Sequence, residues 1–213
     1  MEARGGGGRT TGRRYGCSPS QGNPIEPQPI VRPLIWESAA EAKDLLDRCF
    51  GAGFGEMDET DMGFTAYHDS CLVGVMTVAL RSPAGLNSHY AGRVSWPGDS
   101  FAQVEVALIR QIGVTENARG MGVGDALMVA TTHAVADHFE DRVRYLVANA
   151  WVHARTGRCP AAHLLERHGF TIAGAVPNFF AAMPSEDCPG CSTALCRCSV
   201  RVYFKEQPAR QPA

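Results

Sequence analysis

The chain has 213 residues, 45% of them hydrophobic and 20% charged, with a formal net charge of −2. A chain of this size buries a full core without staples, and its near-neutral balance excludes general affinity for nucleic acid. No apolar run approaches the ~20 residues of a membrane-spanning helix, and "MEARGGGGRTTGRR" at the N-terminus has no apolar stretch of the secretory kind.

A cytoplasmic, reducing location is therefore expected. Lys43 and Lys205 are the only lysines, and with abundant Ala and Gly this bias points to a GC-rich bacterial source. Residues 1–29 are rich in Gly, Arg, Pro and Ser and read as a disordered tail. The tail is basic, with five Arg against two Glu over residues 1–33.

A folded domain is expected over residues 30–207. Residues 30–36 read as a strand, and "ESAAEAKDLLDRCF" reads as a helix, with Ala39, Ala42, Leu45, Leu46 and Cys49 near helical spacing. "GAGFGEMDETDMG" is a loop. "FTAYHDSCLVGVMTVAL" reads as a hairpin turning near His68, Asp69 and Ser70. Residues 81–100 read as a long Gly/Pro/Ser loop. In "VEVALIRQIGV", Val104, Val106, Leu108, Ile112 and Val114 are expected on one face of a strand. A helix over 123–139 follows, then the strand "YLVANAWV", a short helix in "PAAHLLERHG", the strand "FTIAGAV" and a last strand "SVRVYFKE". This order predicts an α/β (α+β) domain, a mixed central sheet of about six or seven strands flanked by helices.

Between the fourth strand and its helix lies "ARGMGVGDAL", with Gly120, Gly122 and Gly124 at alternate positions behind Arg119. A helix N-terminus offers unpaired N–H groups and a partial positive charge. Glycines let that backbone approach an anion closely, and a guanidinium suits phosphate. A P-loop requires Gly-Lys-Ser/Thr, and a dinucleotide fingerprint requires a different glycine spacing. Asp125 follows Gly124, so both are excluded, and the loop fits a diphosphate that is held without reacting.

Arg119-Gly120-Met121-Gly122-Val123-Gly124 resembles the Arg/Gln-x-x-Gly-x-Gly/Ala signature of the GNAT (Gcn5-related N-acetyltransferase) superfamily. "AAHLLERHGF", residues 161–170, is similar to that family's short helix ending in Gly-Phe. The element order also matches, over roughly residues 30–205. The resemblance implies that the Arg119–Gly124 loop cradles the diphosphate of acetyl-CoA. It implies that the backbone at Ile112 and Val114 pairs with the pantetheine arm as an added strand would. An amine would then attack the thioester directly in a ternary complex, with the Val114 N–H polarising its carbonyl.

Two side chains are candidate bases. Glu105 lies on the central strand, on the face opposite Val106, unless a bulge alters the parity; its other reading is a solvated or ion-paired carboxylate. His153 ends the next strand, with a free pKa near ~6.5; its other reading is a surface or capping histidine. Many relatives place a proton-donating tyrosine where this chain has Leu165. That departure keeps open an acyl-CoA-binding sensor or interaction module that is catalytically weak or inactive. The expected acceptor is a small-molecule primary amine. Glu56, Asp58, Glu59 and Asp61 favour a cationic one if their loop lines the acceptor site. "NFF" at 178–180 resembles the Asn-Tyr-Tyr of protein N-terminal acetyltransferases without its hydroxyls. A monomer or homodimer is expected, with neither nucleic acid nor membrane as a partner.

"CPGCSTALCRC" places Cys188, Cys191, Cys196 and Cys198 in a cysteine-rich insert over 184–198, before the last strand. The first pair has zinc-knuckle spacing, and four thiolates close a tetrahedral structural zinc site. A disulfide or redox pair is the competing reading, and the absence of an export signal weighs against disulfides.

Overall fold

The computed structural model describes residues 28–51, 55, 57, 61–139, 142–181, 188, 190–191 and 195–208. The tail expected over 1–29 lies almost wholly outside them, as do Glu56, Asp58 and Glu59. Seven strands form one mixed sheet: β1 Ile30–Pro33, β2 Met62–His68, β3 Cys71–Arg81, β4 Glu105–Val114, β5 Val143–Val152, β6 Thr171–Val176 and β7 Ser199–Glu206. Their spatial order is β1-β2-β3-β4-β5-β7-β6. All neighbours run antiparallel except β4 and β5, which are parallel. The helices are α1 Ala39–Phe50, α2 Pro83–His89, α3 Val123–Phe139 and α4 Ala162–Arg167.

The local signals explain most of these elements. The β2–β3 hairpin turns through Asp69 and Ser70, both at positive φ (49° and 64°), the backbone a two-residue primed turn requires. The short helix α4 ends before Gly169, whose φ of 79° reverses the chain, as a C-terminal glycine does. The loop expected over 81–100 holds α2, which has its own start signal: the Ser82 hydroxyl accepts from the Gly85 N–H at 3.2 Å, with Pro83 just behind the cap.

The sheet buries both faces. On one, α3 lays Val123, Leu127, Met128 and Val135 over Phe64, Met76, Ala107, Ile109, Leu146 and Ala148. On the other, α1 lays Leu45 and Leu46 over Leu72 and Val75. Beside it, Leu86, Tyr90 and Phe101 of the segment between β3 and β4 cover Val106, Leu108, Tyr145, Val147 and Val202. Each Val, Leu, Ile, Met or Phe among them, removed from water, contributes about 1.5–3 kcal/mol.

The central strand departs from simple alternation. Thr77 faces Gln111 while Val78 faces Ile109, so Arg110 is an extra residue, a β-bulge. Val106 and Leu108 therefore face Tyr90 and its neighbours, whereas Ile112 and Val114 pack on the α3 side with Ala107 and Ile109. The single apolar face expected for this strand is thus split in two, because one inserted residue inverts a period of two.

The Tyr90 hydroxyl, in a fully buried side chain, donates to the Asn149 Oδ1 at 2.7 Å and ties the long β3–β4 connection to β5. Tyr90→Phe leaves that acceptor unpaired, and urea denaturation is expected to show a loss of about 1–3 kcal/mol.

Candidate functional site

The parallel pairing of β4 with β5 runs from Glu105 opposite Val143 to Ile109 opposite Ala148 and ends there. The bulge at Arg110 follows at once, and the two strands part. Beyond that point β4 is paired only with β3. The Thr115 N–H donates to the Val73 carbonyl at 2.9 Å, which makes Val114 opposite Gly74 a non-hydrogen-bonded pair. The N–H and C=O of Val114 therefore point away from β3, toward the gap. Ile112, two residues earlier, has the same orientation. Main-chain donors and acceptors thus line one wall of a cleft, as an unfilled strand position does.

At the mouth of this cleft the chain turns into α3. Gly120 and Gly122 have φ of 84° and 77°, a left-handed conformation that costs other residues ~1–2 kcal/mol. The first helical bond there runs from the Ala126 N–H to the Gly122 carbonyl at 3.0 Å. The N–H groups of Val123, Gly124 and Asp125 precede any intrahelical acceptor. Arg119 is exposed beside them, and its Nε lies 3.4 Å from the Val114 carbonyl. Met121 is half-buried against the α3 core.

Asp125 would oppose an anion at this loop, but its charge is taken elsewhere. Its two carboxylate oxygens each lie 2.7 Å from Arg167 Nη2, and His168 Nε2 lies 2.9 Å away. Those partners close α4, so the second sequence segment is pinned beside the glycine loop. Leu165 is buried in the core under α4, 2% exposed, and offers no proton.

The two candidate bases stand at opposite ends of β4 and β5. Glu105 begins β4 where the strands are still paired and forms an exposed ion pair with Arg142 at 2.6 Å. Nine residues at about 3.3 Å each separate it from Val114. The bulge changes the strand's parity but does not shorten that distance, so Glu105 is not brought to the gap. His153 follows β5 at its far end, where the strands have parted. Burial, then the nearby Arg158 and Arg155 guanidinium groups, hold its imidazole below the ordinary value. That favours the neutral form, which accepts a proton.

Asp61 comes from the acidic loop after α1, and its carboxylate pairs with Arg110 at the bulge, 3% exposed. It therefore serves the bulge, and the attraction expected for a cationic amine rests on Glu56, Asp58 and Glu59. A cavity of about 480 Å³ opens beyond β6 and is lined by His89, Arg93, Val176, Asn178, Phe179 and Phe180. Phe179 and Phe180 of the "NFF" segment pack against His89 and Trp151 respectively.

Cys188, Cys191, Cys196 and Cys198 are all buried, and their Sγ atoms lie within 4.8 Å of one another. Cys188 is 3.7 Å from Cys196 and 3.8 Å from Cys198, and Cys191 is 3.7 Å from Cys196. None is disulfide-bonded. Burial pushes the Cys188 and Cys196 thiols up. The centre adjoins the end of β5, with Trp151 packed among the four side chains. Its closeness to His153 has no signal in the sequence, since some forty residues separate the two.

The model of the acetyltransferase (GNAT) family matches residues 31–170. No curated protein sequence matches the chain. Among solved structures, NAA60 of Arabidopsis thaliana in complex with acetyl-CoA superposes with a TM-score of 0.61 at 14% identity, covering 84% of this chain and 98% of that one. An IAA acetyltransferase from Bacillus cereus gives 0.59 at 14%, covering 84% and 100%. An agmatine N-acetyltransferase mutant gives 0.55 at 13%, covering 85% and 100%. At these identities the likeness is one of fold.

Proposed function

The chain belongs to the acetyltransferase (GNAT) family, and from that premise we propose that it moves an acetyl group from acetyl-CoA to the primary amine of a small molecule. The observation that carries this reading is the cleft. The β4–β5 pairing ends at Ile109, and the main-chain edge of Ile112 and Val114 that faces away from β3 leads to the Arg119–Gly124 loop. A pantetheine arm laid along that edge would take the two residues' hydrogen bonds. Its diphosphate would meet the N–H groups at the start of α3 and the Arg119 guanidinium.

In the proposed reaction the amine nitrogen attacks the thioester carbon, and the developing oxyanion takes the Val114 N–H. His153 accepts the proton lost by the ammonium. The carbon–sulfur bond breaks and the thiolate leaves. Leu165 supplies no acid, so water protonates the sulfur; a thiol pKa of about 8.5 makes this tolerable. The same Leu165 supports a second reading, in which the chain binds acyl-CoA as a sensor or interaction module without transferring the acyl group. Transfer to a protein N-terminus is less well supported, because Phe179 and Phe180 lack hydroxyls.

The four cysteines fit structural zinc. A Zn–S distance of ~2.3 Å gives a tetrahedral edge of ~3.8 Å; three of the six Sγ separations are 3.7–3.8 Å, and all lie within 4.8 Å. Four thiolates close such a site without an open position, so the metal would order the insert and take no part in acetyl transfer.

An amine-panel acetylation assay with mass readout tests the reading. Acetylated product with at least one small amine, together with released CoA thiol, is expected. Acetyl-CoA binding without turnover on any amine leaves the sensor. Arg119→Glu removes a charge-assisted contact worth ~1.5–3 kcal/mol, so calorimetry is expected to show acetyl-CoA affinity lower by at least about 10-fold. His153→Gln is expected to lower kcat by ~100-fold or more with acetyl-CoA affinity unchanged. In the native chain, the lowered pKa keeps the imidazole neutral to more acid pH. Activity is therefore lost only below the ordinary imidazole value near ~6.5, as a kcat/KM–pH profile will read.

A further inference from the structure

The cysteine centre does more than close a surface insert, because its contacts converge on the end of β5. The Ala154 N–H points at the Cys198 Sγ, 3.5 Å away. The Arg155 N–H donates to the Gly190 carbonyl at 3.3 Å. Gly190 is wedged between the centre and the candidate base: a Cβ there would lie 2.8 Å from Cys198 Sγ and 3.1 Å from the His153 ring. Trp151, two residues before His153, packs among the four cysteines, stacks on Phe50 at the end of α1 and meets Phe180 from the segment after β6. Three chain segments distant in sequence thus meet on one buried sulfur cluster, beside the gap. None of these contacts reaches the glycine loop.

We propose that the metal-loaded four-cysteine centre is the positioning element of the acceptor half of the site. It holds residues 151–155, and with them His153, in register with the cleft, while the coenzyme half is built independently on β4 and α3. The inference rests on the zinc and acetyl-transfer readings above, but its structural arm needs no turnover. Exposed loops such as 154–158 keep a single geometry only where something pins both backbone and side chain. The turn closes on itself, the His153 N–H donating to the Arg158 carbonyl at 2.9 Å and the Gly157 N–H to the His153 carbonyl at 2.8 Å; a four-coordinate metal would fix the insert beside that closed turn at four points, which the 3.3–3.5 Å hydrogen bonds between the two do not.

The test uses the full chain, purified without chelator, analysed for metal, then stripped with a strong chelator and reloaded with zinc. One zinc per chain is expected. Stripping should change Trp151 emission, isolated in a Trp36→Phe, Trp96→Phe background, and raise amide exchange over 151–156. Acetyl-CoA affinity by calorimetry should stay within about twofold, and kcat/KM for the amine should fall about 10–100-fold, the cost of a small misplacement. Reloading should restore both. Gly190→Ala, which keeps all four cysteines, should reproduce the kinetic split with acetyl-CoA affinity intact. Stoichiometric zinc whose removal leaves residues 151–156 and the amine kinetics unchanged overturns the positioning role and leaves the metal structural. Equal loss of acetyl-CoA affinity overturns it as well, since the effect would then be global. Well under one zinc per chain removes the zinc reading and the inference with it. Ordering of 151–156 by zinc in a chain that acetylates no amine refutes acetyl transfer alone.

Discussion

Two parallel strands share hydrogen bonds only while they run side by side, and in this chain β4 and β5 cease to do so after Ile109 and Ala148. The extra residue at Arg110 bends β4 at that point. The buried carboxylate of Asp61 meets the Arg110 guanidinium there, so the distortion is held by a charge pair in a poorly solvated place. Removing one partner of such a pair leaves an uncompensated charge, which is costly. The consequence is a stretch of main chain, Ile112 to Val114, with one edge paired to β3 and the other facing the gap, where only the Arg119 and Cys49 side chains approach the Val114 carbonyl among the described residues. A family that binds an extended cofactor arm needs such an edge.

The two ends of the cleft answer different demands. At the start of α3, backbone N–H groups and Arg119 favour an anion, while Asp125 in the first turn is ion-paired with Arg167 and lies within hydrogen-bond distance of His168. The same contacts fix α4 beside the loop, which joins the two sequence segments of the family resemblance in one assembly. At the end of β5 the surroundings are aromatic and sulfur-rich. Trp151, Phe50 and Phe180 surround four buried cysteines, and the His153 imidazole beside them is held toward its neutral form.

Legibility in the sequence followed the range of the interactions. α3 and β7 were readable to the residue, because their periods and end signals are local. The helix α2 lies in a stretch whose Gly, Pro and Ser read as loop, although "SPAG" carries a serine cap and a proline at the first turn. Strict alternation puts Ile112 and Val114 on the face opposite to the one they occupy, since a bulge inverts the period and leaves no mark in composition. Glu105 has the right residue type on the right strand, yet it pairs with Arg142 at the closed end.

The sequence by itself determined the family, the glycine loop that opens α3 and the close spacing of the four cysteines. Each of these depends on residues within a dozen positions, where glycine conformations, helix ends and thiol spacing act locally. Only the tertiary structure decided where β4 and β5 part, that Asp61 serves the bulge, and that His153 rests against the insert carrying Cys188 to Cys198. Those outcomes come from side chains and strands meeting across forty or more residues. Chain topology and packing bring them together, and no local pattern encodes that.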